Sequence, residues 1–588
     1  MTVQIAGRRQ SRNDGHRSLQ RRHAERLEGR QASLRDKCDT AQTLYSLVSN
    51  SSPSSLADSI PASKHLSPQH PDNSISNNPL VITDELLLNF QRCKRRAFLD
   101  KYGSPANKDA ISDYMKKVRQ DSLTHQKNIL AKHPTQTPQY PARHWHKGFE
   151  ETLKLMQQGV SHIEKGVLQA ICPPFIAEFG ETSPYQSLNL THIRNNGKTI
   201  ILVSRPKLLI RTPGKSEFGN WFYVPADIKL GKRPKTDYQV VAALHAYLLF
   251  LIQGTWPDKS SLFLRHGNEY SVKLEEKIPQ MTSVLENCVE MIVHQQEPGV
   301  FISRNRCDLC PWLSHCYDVA QSEAHLSLLP GVTPSRYTHL KNLNLTTVES
   351  LAQVSSLALA SLPGFGHKTA HKLVRQAQAT HHSKALKLLP GPENKKHPPL
   401  QEWIPTAPIE LYFDIEAAPE RELIYLHGVV VVDRNANTNK FYGLMAEYPD
   451  EEAAIWQQFL DLTARHPTAP IFHFCPYEAH TVKKLGAAYQ TPEYITDALL
   501  KRFVDLHDRV VHAATMPIES YALKAIAKWI GFKWRDSEAN GAQSIFWYDQ
   551  WLETDDRTYL DRILQYNEDD CLATWKVKDW LINFLKTD

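Results

Sequence analysis

The segment Leu411-Tyr412-Phe413-Asp414-Ile415-Glu416 constrains this chain more than any other. Side chains of a strand alternate between its two faces. Leu411, Phe413 and Ile415 therefore share one face, which suits a core, while Asp414 and Glu416 share the other. Two carboxylates side by side repel each other, and a divalent cation is the usual way to neutralise them. Alone, the pattern fits a solvated strand edge better than a site, so the flanking residues have to decide.

This segment opens a unit read as 407–588. Strand patterns at 409–416, 423–433 and 439–448 precede a helix over 450–465, a strand over 470–475 and further helices. That order predicts a compact mixed sheet flanked by helices. Near its end, Tyr566-Asn567-Glu568-Asp569-Asp570 falls on a predicted helix, where Tyr566 and Asp570, four apart, share a face. Between these ends, His473-Phe474-Cys475-Pro476-Tyr477-Glu478 marks a strand end and a helix start, where a carboxylate can reach the same metals. Asp505 sits on a short apolar strand, Phe503-Val504-Asp505-Leu506. It reads either as a supporting carboxylate or as a buried structural acid.

On these residues the segment resembles the DEDD-type 3′–5′ exonucleases of the ribonuclease H-like fold, in the variant carrying a tyrosine. Asp414, Glu416, Tyr566 and Asp570 match its motifs directly. Glu478 stands where that family usually has Asp, and His473 where it usually has Asn. The resemblance implies that Asp414, Glu416, Glu478 and Asp570 hold two Mg²⁺ or Mn²⁺ ions. One ion would activate water and the other steady the leaving oxygen, with Tyr566 orienting the attacking water.

An earlier unit, 81–324, shows helical patterns at 84–100, 110–132 and 147–171, strands at Thr199–Ser204, Lys207–Arg211 and Trp221–Lys229, and a long apolar helix at about 236–253. This is a mixed α/β order. Cys307, Cys310 and Cys316 form a C-x₂-C-x₅-C run that needs a fourth ligand, and Cys93 is the candidate. Four thiolates can hold a [4Fe–4S] cluster; zinc, with His315 as a further ligand, is the alternative. Nine cysteines are few for 588 residues, and the number is odd. A disulfide scaffold is disfavoured, and a reducing compartment, the cytoplasm, is expected.

One cysteine before a nuclease-like core and three after it resemble the iron–sulfur RecB-like nucleases of the PD-(D/E)XK group. The resemblance implies a restriction-endonuclease-like domain in which Asp227 and Lys229, on one face of a strand, serve catalysis. Gln239 and Tyr247 lie on the next helix as in the family. His125 reads either as its upstream histidine or as a surface residue. Lys207 replaces the family's metal-binding Asp. An ammonium repels Mg²⁺, so unless another acid such as Glu217 substitutes, this centre is expected to be silent and retained for grip on DNA.

Between the two units, residues 325–385 are helical. Ser361-Leu362-Pro363-Gly364-Phe365-Gly366-His367-Lys368 resembles a helix–hairpin–helix turn, though an ordinary tight turn reads the same. In the former, Gly364, Gly366 and Lys368 would take a phosphate. A Pro-rich linker is expected over 386–406. Residues 1–80 are expected to be disordered, first basic and then Ser/Pro-rich. Ten Lys and Arg against five Asp and Glu in the first forty residues supply most of the net charge of +6. The tail either contacts nucleic acid or is simply solvated, and its acidic residues argue against a transit peptide.

No phosphate-binding loop of an ATPase motor is present. The longest apolar run, Ala246–Ile252, is seven residues, far short of the roughly 20 that span a bilayer. The whole, an α/β multidomain chain, resembles RecB-like nucleases fused to a ribonuclease H-like domain of the YprB type. The resulting expectation is a metal-dependent nuclease of single-stranded DNA 3′ ends, with nucleic acid as partner and DNA favoured over RNA. The rival is a nucleic-acid-binding scaffold with both centres degenerate, or an RNA exonuclease.

Overall fold

Cys93 interrupts what reads in the sequence as one helix over 84–100. Its backbone is extended (φ −160°, ψ 116°), ending a helix Asp84–Arg92 and starting another, Lys94–Tyr102, whose Arg96 N–H donates to Cys93 Sγ at 3.4 Å. The computed structural model describes residues 79–171, 199–388 and 400–587. All of these fall in the unit spanning Asn77–Asp588. The expected tail lies outside the described residues except for its last two, and most of the expected linker lies outside them as well.

The first half is built on two sheets. Strands β1 (Leu80–Thr83), β4 (Leu168–Ile171) and β5 (Ile200–Ser204) form one, in the order β1-β5-β4. The other runs β2-β3-β6-β7-β8-β9, from β2 (Thr135–Gln136), β3 (His162–Glu164), β6 (Leu208–Ser216), β7 (Gly219–Ile228), β8 (Ser260–Phe263) and β9 (Glu269–Val272). The helix expected over 147–171 stops at Gln157, and β3 and β4 follow. Gly159 takes a left-handed φ of 69° there, which ends helical periodicity. Helix Thr236–Gln253 is buried on nearly every side, as a helix apolar all round must be. It sits in the core with Leu202, Leu209, Tyr223 and Leu262.

Four short helices follow, Pro334–Asn342, Val348–Gln353, Ser356–Ala360 and Gly366–His381, closed around Leu340, Leu351, Leu359, Phe365 and Leu373. Strand β10 (Leu386–Lys387) then pairs with β16 (Ala514–Thr515) of the last part.

That last part carries a five-stranded mixed sheet. Its order is β13-β12-β11-β14-β15, from β11 (Ile409–Ala418), β12 (Leu423–Asp433), β13 (Thr438–Met445), β14 (Ile471–His473) and β15 (Phe503–Asp505). Strands β11, β14 and β15 are mutually parallel and β12 is antiparallel to β11. Leu411, Phe413 and Ile415 pack with Trp456, Phe459, Val482 and Leu485 from helices Glu452–Ala464 and Tyr477–Ala488. The opposite face is covered by helix Thr558–Lys586, whose Cys571, Val577 and Leu581 share a core with Tyr412, Val430 and Phe472. The predicted alternation of β11 therefore holds.

The turn between β11 and β12 meets the first half through charges. Arg265 pairs with Glu420 at 2.8 Å, and Lys117 with Asp549 at 3.0 Å and Glu420 at 3.6 Å. Arg421 joins Asp549 at 3.0 Å.

Candidate active site

Strand β11 pairs with parallel β14 only at Leu411 and Tyr412 and runs on beside β12, so Asp414 and Glu416 lie beyond the parallel pairing, at the carboxyl edge of the sheet. Ligands of open α/β sheets bind at such edges. Helix Thr558–Lys586 passes below and adds Asp570. One carboxylate oxygen from each of Asp414, Glu416 and Asp570 lies within 4.8 Å of the other two.

Each acid is held by a neutral donor. Asn567 Nδ2 donates to Asp414 Oδ2 at 2.7 Å, and Trp534 Nε1 to Asp570 Oδ1 at 2.7 Å. The Ser544 and Tyr425 hydroxyls, hydrogen-bonded to each other at 2.7 Å, lie against Glu416 and favour its charged form. Tyr566 donates its phenol to Asp570, one helical turn on, and burial and the neighbouring acids keep that phenol protonated. Room for Asn567 comes from Gly428, paired with Asp414 across the sheet: a Cβ there would fall 1.5 Å from Asn567 Oδ1. Arg535 fastens the loop bearing Trp534 by donating to Asp569 at 2.8 Å through both its backbone N–H and Nε.

The electrostatics favour a cation between the acids. Burial, then the charge of Asp570, pushes Glu416 up to about 8. Burial pushes Asp570 up to about 6 although Trp534, Tyr566 and Lys524 oppose it. Asp414 is raised by burial, then by Asp570, Glu416 and Glu478. Three crowded oxygen donors whose charges resist one another fit a hard divalent ion. Lys524, which lies over the Tyr566 and Trp534 rings at 5.2 and 5.5 Å, adds a positive charge beside them.

Glu478 stands outside the three-acid group. It begins helix Tyr477–Ala488, 4% exposed, with His473 Nδ1 at 3.4 Å from its carboxylate. Asp505 accepts the N–H of Cys475 at 3.1 Å and of Asp508 at 3.3 Å, so it caps a helix and braces the turn before Glu478.

In the first half, Asp227 is 2% exposed and already engaged: Lys229 Nζ lies at 2.9 Å and His245 Nε2 at 3.3 Å. Burial alone would raise its carboxyl. Lys229 and His245 outweigh that and hold it far below the usual carboxylate range. The histidine at this position is thus His245, with Ser204 Oγ on its other nitrogen. His125 lies by the backbone of Phe263 and Leu264 instead. Glu217 does not supply the missing acid. It packs by Gly254, nine residues along the helix axis from His245, or about 13 Å. Gln239 also faces away, donating to Pro234 O at 2.7 Å.

The four cysteines converge, each close enough for Cys93 to influence Cys307, Cys310 and Cys316 electrostatically. Each sulfur has an N–H donor: Arg96 on Cys93 and Ser303 on Cys307, at 3.4 and 3.3 Å, the Trp312 backbone on Cys310 and Arg95 on Cys316. Burial pushes the Cys310 thiol up to about 11. Trp312, fully buried, donates to Asp100 at 2.9 Å and pins the loop to the helix that starts after Cys93. His315 packs edge-on against Trp312. Gly364 and Gly366 have left-handed φ of 80° and 64°, open space around them, and helix Gly366–His381 starting at the second. Lys368 is exposed on that helix.

Sequence reasoning missed Asn567, Trp534, Ser544, Tyr425, Lys524 and His245. Asn567 had a signal, lying three residues before Asp570 on the same helix. The others are brought in by tertiary contacts that no local spacing announces.

The site sets a buried cluster of three carboxylates that could hold a metal ion at the edge of a mixed sheet. Residues 411–582 match the sequence model of the RNase H superfamily. The last part of the chain is thus an RNase H-like domain, a fold whose members are typically hydrolytic nucleases using divalent metals. A comparison with curated proteins gives no match. Among the described residues, no helix is long and apolar enough to cross a membrane.

Proposed function

We propose that this protein is a metal-dependent nuclease that trims single-stranded DNA from its 3′ end through the RNase H-like domain. The observation that carries the reading is the approach of Asp414, Glu416 and Asp570 within 4.8 Å. Two Mg²⁺ or Mn²⁺ ions, when bound, would supply the activated water and stabilise the leaving oxygen.

The chain's own residues divide the remaining work. Asp414, Glu416 and Asp570 hold the ions, and Asn567, Tyr425, Ser544 and Trp534 fix the carboxylates in place. Glu478, braced by His473, lies near enough to raise Asp414 and would complete the ligand set. Tyr566 stays protonated, and its phenol orients the water that attacks. The N-terminal centre, with Lys207 and a fully engaged Asp227, is silent in this reading. Cys93, Cys307, Cys310 and Cys316 are read as the four thiolates of an iron–sulfur cluster, with zinc the alternative.

The test is digestion of 3′- and 5′-end-labelled DNA and RNA oligonucleotides with Mg²⁺ or Mn²⁺, the parent beside Asp414→Ala. Stepwise shortening from the 3′ end of DNA, lost in EDTA and in the variant, is expected. Equal hydrolysis by parent and variant would overturn the assignment.

A further inference from the structure

Strand β11 turns three acids towards helix Thr558–Lys586, Glu410, Asp414 and Glu416, and only the last two belong to the candidate metal group. Glu410 is fully buried and is met by side chains instead. Lys578 Nζ donates to its Oε1 at 2.7 Å, and the Tyr412 hydroxyl and Arg434 Nε donate to its Oε2 at 2.7 and 2.6 Å. Arg434 goes on to grip Asp579 at 3.0 and 2.8 Å. Lys578 lies as deep. It is 2% exposed, and its ammonium stands over the Phe472 ring at 5.4 Å. Its neighbours Val577 and Leu581 belong to the core around Tyr412 and Phe472.

Stability alone does not account for a charged pair in such a core. Two ions taken out of water regain little from each other beyond what apolar side chains of the same volume would give. What the pair adds is direction. Apolar ridges on a helix repeat along its length, so a helix can shift against its neighbours and find similar contacts again. A buried ion pair cannot shift, because each charge is then left without a partner.

Two ties of this kind join the helix to β11. Asn567 holds Asp414 at 2.7 Å, and Lys578 holds Glu410 at 2.7 Å. They lie four residues apart on the strand, about 13 Å, and eleven apart on the helix, about 16 Å or three turns. Both therefore stand on one face of the helix, and strand and helix run in opposite senses between them. One tie leaves the helix free to swing about it, whereas two fix its height and its angle together. A slide of one turn, about 5.4 Å, would carry Asp570 out of a group whose oxygens lie within 4.8 Å of one another. We propose that Glu410 and Lys578 are positioning residues: their buried pair sets the register of the helix on β11 and so brings Asp570 to Asp414 and Glu416. The proposal rests on the reading of those three acids as a metal site.

The experiment uses the full chain with Mn²⁺ alone, the free ion being counted by its electron paramagnetic resonance signal, beside thermal melts. Glu410→Met combined with Lys578→Met replaces the pair by apolar groups of similar size. This variant should melt no lower than the parent and yet bind Mn²⁺ about ten- to a hundredfold more weakly, as happens when a group supporting metal ligands is lost. A purely structural role would leave metal affinity unchanged in a variant that melts like the parent, and that result overturns the proposal. Should the double variant not fold, Lys578→Met carries the same test, since Glu410 there keeps Tyr412 and Arg434. Asp579→Asn cuts only the partly exposed outer pair with Arg434 and should change Mn²⁺ affinity by less than about twofold. An equal loss in that variant would move the lock to the rim and likewise overturn the proposal. Mn²⁺ binding lost in Asp414→Ala but kept in the double variant sinks the register proposal only, whereas binding kept in Asp414→Ala sinks the metal reading itself.

Discussion

Asn567 reaches Asp414 across a gap left by a missing side chain. Its Nδ2 donates at 2.7 Å, and its Oδ1 occupies the space where a Cβ on Gly428 would stand. Strand register, helix placement and a glycine thus combine to aim one carboxylate.

Gly428→Ala should therefore behave as a site mutation although it bears no reactive group. The added methyl forces Asn567 aside and releases Asp414. A hydrogen bond to a charged group is worth about 1.5–3 kcal/mol, so nuclease activity should fall by roughly ten- to a hundredfold. Asn567→Ala should lose a similar factor, and the double variant little more than either single one, since both break one contact. Initial rates on labelled oligonucleotide check this; additive losses would refute the shared cause.

The division of labour between the halves has its own test. Asp414→Ala and Asp570→Ala should each abolish hydrolysis, while Asp227→Ala should leave most of it. If Asp227→Ala is the inactive variant, catalysis belongs to the first half.

Stability without metal should depend on pH in an unusual direction. Glu416 and Asp570 are raised to about 8 and about 6 by burial first of all, against about 4 for free carboxyls. Between about pH 4 and pH 8 the folded state therefore binds more protons than the unfolded state, and stability falls as pH rises through that window. In EDTA the melting temperature should be lower at pH 8 than at pH 5.5. Mg²⁺ should remove most of the difference by taking the protons' place. Thermal melts at the two pH values, with and without Mg²⁺, decide it, and Glu416→Gln should flatten the EDTA curve.

Protein purified without oxygen should be brown and absorb near 400 nm, as iron–sulfur proteins generally do. Cys93→Ser should lose the colour. Stoichiometric zinc without iron would remove the cluster from the account.

The alternation at 411–416 and the four-residue spacing of Tyr566 and Asp570 were legible because each is set by one element's geometry. The helix at 236–253 was legible for the same reason. Cys93 broke a continuous apolar pattern because its backbone serves two caps at once, which periodicity does not register. Residues 158–171 read as helix until Gly159 is seen to turn the chain. Trp534, 36 residues before Asp570 and on a loop, enters the site only because Arg535 ties that loop to the helix. The sequence pointed to His125, whereas packing of the long helix against β7 brings His245, which no spacing announced, to Asp227.

Glu420 and Arg421 sit at the tip of the hairpin whose first strand carries Asp414 and Glu416, and Arg265 and Lys117 hold that tip from more than 150 and 300 positions away in the chain. The placement of the strand that carries Asp414 and Glu416 is therefore coupled to the first half through partly exposed ion pairs, a coupling that added salt weakens.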